Sequence, residues 1–334
     1  MDEVMVAQIG EVLERYVFNL ANLQGMLRLS TPVILSGLSA LITSRAGIMN
    51  IAAEGMINLC TFAAVAGSYF LGHAIGGVAV ALLTGLLVGG FFALFSIKFR
   101  ANTTVMGIAI NITSVSVTMF LCRAIFKQAG AFSDPSIMGL SPIRIPIIEK
   151  IPILGPLVSG YSIITYLAWA LIPIITIFLY RTRTGWHLRA VGENPQAAET
   201  LGINVERMKF GAMVASGVFA ALAALYLSLA HLQMYTDEMA AGRGFIGMSV
   251  NTFGAGEPIG VFLSSLLFGF VDTIGWRLQA DRIMPPQFIT MLPYVSTLVF
   301  LTAFTVRKNR RLKAALEKAA REDAQQSQST AASV

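Results

Sequence analysis

Formal charge is scarce in this chain: Asp, Glu, Lys and Arg together make up 13% of its 334 residues. Soluble domains average about 25%, so a water-covered globular surface is excluded for most of the length. Cysteine is nearly absent. Cys60 and Cys122 both sit in apolar stretches, which excludes a disulfide framework and reads as two small buried thiols. His73, His187 and His231 lie at loops or segment ends without ligand spacing, so neither a metal centre nor a catalytic residue is expected. The G-x-x-x-x-G-K-[ST] phosphate loop is missing, so ATP hydrolysis is not expected of this chain. The first residues also lack a basic region followed by an apolar core, so no cleavable signal peptide is expected.

What is present is apolar. Hydrophobic residues reach 55% and the mean hydropathy is +0.69, which predicts an all-α, polytopic membrane protein. A helix needs about 20 apolar residues to cross a bilayer core. Residues 46–97 carry a single formal charge, Glu54, and are long enough for two crossings that turn near Leu71-Gly72-His73 and Gly76-Gly77. Charge-free runs at 101–122, 151–180, 210–236 and 283–306 each provide one more, the 151–180 helix starting near Tyr161. The 29–44 run is short and borrows residues upstream of Arg28. Residues 244–256 and 258–271 are separated by Glu257-Pro258, predicting a short or re-entrant helix and then one that extends past Asp272. The expected bundle has about nine segments (8–10). Residues 1–25 form an N-terminal segment, 26–306 the transmembrane domain and 307–334 a basic, solvated tail.

Basic residues in short loops stay on the cytoplasmic side. Arg45, Lys98, Arg100, the 181–209 loop and the Arg307–Arg311 cluster fall on one side if nine segments alternate. Residues 127–160, 231–243 and 280–286 fall on the other. This places the carboxyl terminus inside and the amino terminus outside, unless Glu3, Glu11, Glu14 and Arg15 belong to a surface helix. The net charge of +6 follows from these loops and the tail, so no nucleic-acid partner is expected.

A carboxylate at the centre of a bilayer costs from about 3 to over 10 kcal/mol, so Glu54 must face protein or water. Asn50, Glu54 and Asn58 are spaced i, i+4 and i+8, which on a helix is one polar face. Two readings of Glu54 stand side by side: a substrate pathway or gate, or a structural group that caps a neighbouring helix or pairs with Arg45. Asn111, with Thr113, Ser114 and Ser116, either binds a polar solute or joins helices. Asn251 and Asp272 carry the same ambiguity. Phe245 lies among the glycines of AGRGFIG, and Gly-broken membrane segments often line cavities. Segments one to four and six to nine run in opposite senses, which allows a four-plus-one-plus-four inverted repeat.

Residues 181–209 are the one sizeable internal segment that is both charged and patterned like a soluble helix. Asn194-Pro195 is an N-cap followed by proline at the first helical position, and Gly202 suits a helix end. A short exposed helix over 195–201 is predicted.

The stretch Arg45-Ala46-Gly47-Ile48-Met49-Asn50-Ile51-Ala52-Ala53-Glu54-Gly55 resembles the "GvlNiglEG" signature of permease subunits of ABC importers for nucleosides and simple sugars, related to the ribose and branched-chain amino acid permeases. Arg189 to Ala198, followed by Gly202-Ile203, resembles that family's cytoplasmic coupling loop. Ala241-Gly242-Arg243-Gly244-Phe245 and Phe253-Gly254 to Pro258-Ile259-Gly260 match later elements in order. Ala52-Ala53 and Ala255-Gly256-Glu257 depart from the usual residues.

The resemblance implies a multi-pass subunit of a bacterial inner membrane that holds no cofactor. Its partners would be a cytoplasmic ABC ATPase carrying the ATP and Mg²⁺, a second permease subunit (identical or paralogous) and an extracytoplasmic solute-binding protein. Arg189, Gly192, Glu193, Asn194, Pro195, Ala198 and Gly202 are the implied coupling residues. Nucleosides are the implied cargo, with simple sugars or a riboflavin-type vitamin as alternatives; the residues themselves leave a more remote reading, a proton-coupled secondary transporter with Glu54 or Asp272 as its proton site.

Overall fold

The computed structural model describes residues 20–144 and 157–280, with scattered positions between 291 and 306. The first 19 residues, the tail and most of the expected ninth segment lie outside the described residues.

Among the described residues ten α-helices carry the fold: α1 (Leu20–Arg45), α2 (Ala53–Leu71), α3 (Ala74–Ala93), α4 (Thr103–Leu121), α5 (Ile163–Arg181), α6 (Arg183–Glu193), α7 (Pro195–Thr200), α8 (Val205–Leu225), α9 (Arg243–Phe253) and α10 (Pro258–Ala280). Helices α3, α4 and α8 each end in a π-helical turn. Among the described residues six helices are long and apolar enough to cross a membrane, against the nine segments expected. Two expected segments fall short for identifiable reasons. Helix α2 carries Glu54 and Asn58 on only 19 residues, and α9 has 11, about 16 Å or half a bilayer core.

Burial sorts the spans into centre and periphery. About three quarters or more of α1 and α8 is buried (72% and 83%), against 28–33% for α3, α4, α5 and α10. Helix α1 packs along α10, α8 and α9, while α3 packs on α8 and α2, and α4 on α2. Helices α3 and α8 cross at Gly85 and Gly217, where a Cβ on either would strike the other's backbone carbonyl; in a membrane such close backbone approach is itself a source of helix association. At the end opposite Arg45, two short antiparallel pairs tie loops together. β1 (Ala131–Phe132) pairs with β4 (Tyr235–Thr236), and β2 (Pro142–Ile143) with β3 (Tyr161–Ser162). Phe126 stacks on Phe132 at 3.8 Å between centroids, and Tyr235 meets Phe62 edge-on.

Candidate functional site

The midpoint of the bundle is organised by side chains that complete each other's helices. Helix α9 starts at Gly242, which has a left-handed φ of +81° and no side chain to cap with. Glu54 performs that task from α2. Its Oε1 accepts from the Gly242 N–H and its Oε2 from the Gly244 N–H, both at 2.7 Å. Gly244 is required there, because a Cβ would collide with the Glu54 backbone. A carboxylate on the exposed amides of a half-length helix is favoured by hydrogen bonding and by the helix dipole together. Of the alternatives open for Glu54, this is the capping geometry; Arg45 pairs elsewhere.

Helix α2 is started the same way by a neighbour. Ala52 offers no side-chain cap, and Asn111 of α4 supplies one, accepting from the Gly55 N–H at 2.8 Å and donating to the Ile51 carbonyl at 2.9 Å. Asn58 accepts from the Ala240 N–H at 3.0 Å and so fixes the loop before α9. Asn50 differs from expectation. The chain turns through Gly47 at φ +74° and the helix begins only at Ala53, so Asn50 precedes the helix and does not share its face. Its amide instead donates to Ser216 Oγ at 2.6 Å, and Ser216 meets Ser39 Oγ at 2.7 Å, joining α1 and α8.

Three cavities surround this centre. One of about 530 Å³ is lined by Glu54, Asn58, Asn111, Ser116 and Glu238. A second, of about 310 Å³, lies toward Arg45 and includes Asn50 and Asn251. The third, of about 540 Å³, opens between α1, the end of α8 and α10, with Asp272 on its wall. Phe245 is half-exposed on α9. The sequence reading therefore groups into two sets, Glu54/Asn58/Asn111 and Asn50/Asn251, with Asp272 apart. It did not single out Arg243, Glu238, His231 or Trp276, which line the third cavity. Asp272, Trp276 and Gln279 stand at i, i+4 and i+7, a polar stripe the sequence already carried.

The 181–209 loop folds as two short helices. Thr182 caps α6, accepting from the Gly185 N–H at 3.1 Å. Asn194 then caps α7, accepting from the Ala197 N–H at 3.0 Å, with Pro195 in its first turn. Gly202 leaves the helix at φ +78°, and the Gly202 and Ile203 amides close it on Glu199 and Ala198. Ala198 is buried against the body, while Glu193, Asn194, Pro195 and Leu201 face outward. Leu201, 78% exposed, is an apolar side chain standing on a polar surface.

Two junctions tie this loop to the core. Gly192 packs directly on the Arg45–Gly47 turn, three residues before Asn50. Arg189 lies over the Tyr180 ring, 4.6 Å from its centroid. Tyr180 donates to Glu257, and Glu257 pairs with Arg45 at 2.8 Å. Arg45 Nε also donates to the Gly256 carbonyl at 2.7 Å. The loop thus touches the α1–α2 turn directly and reaches the α9–α10 break through Tyr180.

Comparison with known proteins places this geometry. Residues 22–301 match the family described as the branched-chain amino acid transport system / permease component. A guanosine ABC transporter permease protein of Bacillus subtilis is 34% identical over 83% of this chain and 90% of its own length. A nucleoside ABC transporter permease protein of Lactococcus lactis is 31% identical over 84% and 90%. An inward-facing metal-chelate type ABC transporter shares the fold, with a TM-score of 0.50 at 14% identity over 89% of each chain. The chain belongs to the branched-chain amino acid transport system / permease component family and is a multi-pass membrane subunit of an ABC transporter.

Proposed function

We propose that this subunit conducts nucleosides inward across a bacterial cytoplasmic membrane, driven by ATP that a separate subunit hydrolyses. The chain is a transport component and not an enzyme. The observation that carries the reading is the junction at Gly192: an exposed, capped helix pair bears on the turn that leads directly to Asn50 and Glu54. Closure of an ATPase dimer carrying ATP and Mg²⁺ would press α6 and α7, move the 45–50 turn and shift the α2–α9 contact that Glu54 holds. Arg189, Gly192, Glu193, Asn194, Pro195, Ala198 and Gly202 transmit the motion in this account. Asn50, Glu54, Asn58, Asn111, Phe245, Asn251 and Asp272 border the path.

The basic loops put Arg45 and residues 181–209 in the cytoplasm. The mouth outside is then formed by the tied loops after α4 and α8, where an extracytoplasmic binding protein delivers solute. A second permease subunit completes the path, because the irregular backbone at Glu238–Gly242 that borders the cavity of about 530 Å³ is partly exposed, and backbone along a membrane path must be covered by protein or line water. Nine segments in a four-plus-one-plus-four inverted repeat, with 26–306 as the membrane domain, fit the opposed half-helix at α9. Nucleosides rank first as cargo because two relatives over 30% identical are named for guanosine and nucleosides; simple sugars come second.

The test is uptake of labelled guanosine into liposomes holding the permease pair and ATPase, with binding protein supplied. ATP-dependent uptake supports the proposal. Uptake that needs a proton gradient and proceeds without the ATPase overturns it.

A further inference from the structure

We infer that the cavity of about 540 Å³ between α1, the end of α8 and α10 is the solute's receiving site, and that it is built for a ribonucleoside. The base lies against Trp276 and the vicinal hydroxyls bond Asp272 and Glu238. This rests on the nucleoside reading above and goes beyond it by assigning a site.

The polar groups of the neighbouring cavities are already in use. In the 530 Å³ cavity, both Glu54 oxygens hold α9 amides, Asn58 holds the Ala240 amide, and Asn111 is taken at both ends. No aromatic ring lines that cavity. The 310 Å³ cavity likewise has neither ring nor charge. The larger cavity has what the others lack, and its volume falls in the range of about 300–1,000 Å³ typical of small-molecule sites.

Trp276 is more than half exposed and stands one helical turn beyond Asp272. Asp272 makes no hydrogen bond or ion pair with a described residue, although it lies within electrostatic reach of Arg243. An ionisable side chain left unpaired inside a membrane span is a functional group by default. Glu238 holds a left-handed backbone at φ +53°, a conformation a non-glycine residue adopts only when its surroundings impose it. It is shared with the 530 Å³ cavity, so it stands where a solute passes inward. Arg243 lines the same cavity, its Nη1 donating to the Ala240 carbonyl at 3.3 Å, and its guanidinium suits a base carbonyl or ring nitrogen. A flat aromatic ring, two carboxylate acceptors and a guanidinium are the complement of a nucleoside. A simple sugar can also lie against a ring but offers the guanidinium no base edge, and an anion would be repelled by the carboxylates.

The test uses the complete complex in liposomes with saturating binding protein and compares uridine with 2′,3′-dideoxyuridine, which lacks the vicinal hydroxyls. Asp272→Asn and Glu238→Gln should each lower uridine uptake about tenfold and leave the dideoxy analogue nearly unchanged, so the ratio between the two collapses. Trp276→Ala should lower both, and Trp276→Phe should restore both. If neither carboxylate variant changes the ratio, or if Trp276→Ala and Trp276→Phe behave alike, the receiving site is wrong although nucleoside transport stands. If the unaltered complex takes up no nucleoside, the functional reading itself fails, and the site with it.

Discussion

Replacing Gly192 with alanine places a methyl carbon 2.9 Å from the Arg45 carbonyl carbon and 3.0 Å from the Gly47 nitrogen, with the Arg45 carbonyl oxygen nearer still. All three neighbours are backbone, so no side chain can swing aside. The end of α6 must move away from the α1–α2 turn by about an ångström, and overfilling of this kind costs about 1–3 kcal/mol. With rigid neighbours the upper figure applies. If that contact transmits the work of ATP, a loss of about 3 kcal/mol in coupling corresponds to roughly a hundredfold drop in transport, at about 1.4 kcal/mol per factor of ten. The assay is ATP-driven uptake in liposomes, with ATPase binding measured separately by co-purification; binding should persist while uptake falls. The internal control is Gly211→Ala in α8, where nothing lies within 4 Å of a Cβ and the backbone is helical. That variant should be neutral or gain about 0.5–1 kcal/mol of helix stability and retain most of the uptake. Unaltered uptake in Gly192→Ala would refute the coupling argument, and so would equal losses in the two variants.

Three further outcomes are expected. Leu201→Ala should weaken ATPase binding by about 10- to 100-fold, the equivalent of burying one leucine at 1.5–3 kcal/mol, with no change in the melting temperature of the permease in detergent; unchanged binding tells against α7 as the docking element. Glu54→Gln keeps one acceptor but turns an amide donor onto a backbone N–H, so its thermal stability should fall by about 2–4 kcal/mol, two charge-assisted bonds being worth roughly 1.5–3 kcal/mol each; a melting temperature equal to that of the unaltered chain would remove the capping role. Asp134 accepts from the Ser136 hydroxyl at 2.6 Å and its amide at 2.8 Å, which hold its carboxyl below the usual aspartate range. A depressed value means the contact is fully present above the ordinary range and is lost as pH falls through the lower, folded one, so protection of the Ser136 amide from exchange should drop only on acidification and be pH-independent in Asp134→Ala.

The coupling loop was readable residue by residue, because a cap, a first-turn proline and a terminal glycine act on their own neighbours: Asn194, Pro195 and Gly202 fall where local chemistry puts them. The Glu257-Pro258 break was equally local. Glu54 was recognisable as a residue needing a partner, yet that partner was not, since Gly242 and Gly244 lie 188 and 190 residues away. Arg45 illustrates the same limit, pairing with Glu257 across 212 residues, where the nearby Glu54 was one of the partners the sequence left open. Asn50 was placed on a helix by its spacing alone, but Gly47 at φ +74° turns the chain there and delays the helix to Ala53. Spacing describes a helix only once the backbone has begun one.

The exchange of caps between α2, α4 and α9 bears on how the chain is made. When Glu54 enters the bilayer, the amides that will hold it have not been synthesised. At about 5–20 residues per second, the intervening 188 residues take roughly 10–40 s. Through that interval the carboxylate needs a temporary host: water in the insertion channel, a bound proton or an insertion factor. Chains stalled between residues 60 and 240 should therefore be held by the membrane-insertion machinery, and release should coincide with the emergence of Gly242–Gly244 and not with the completion of α2.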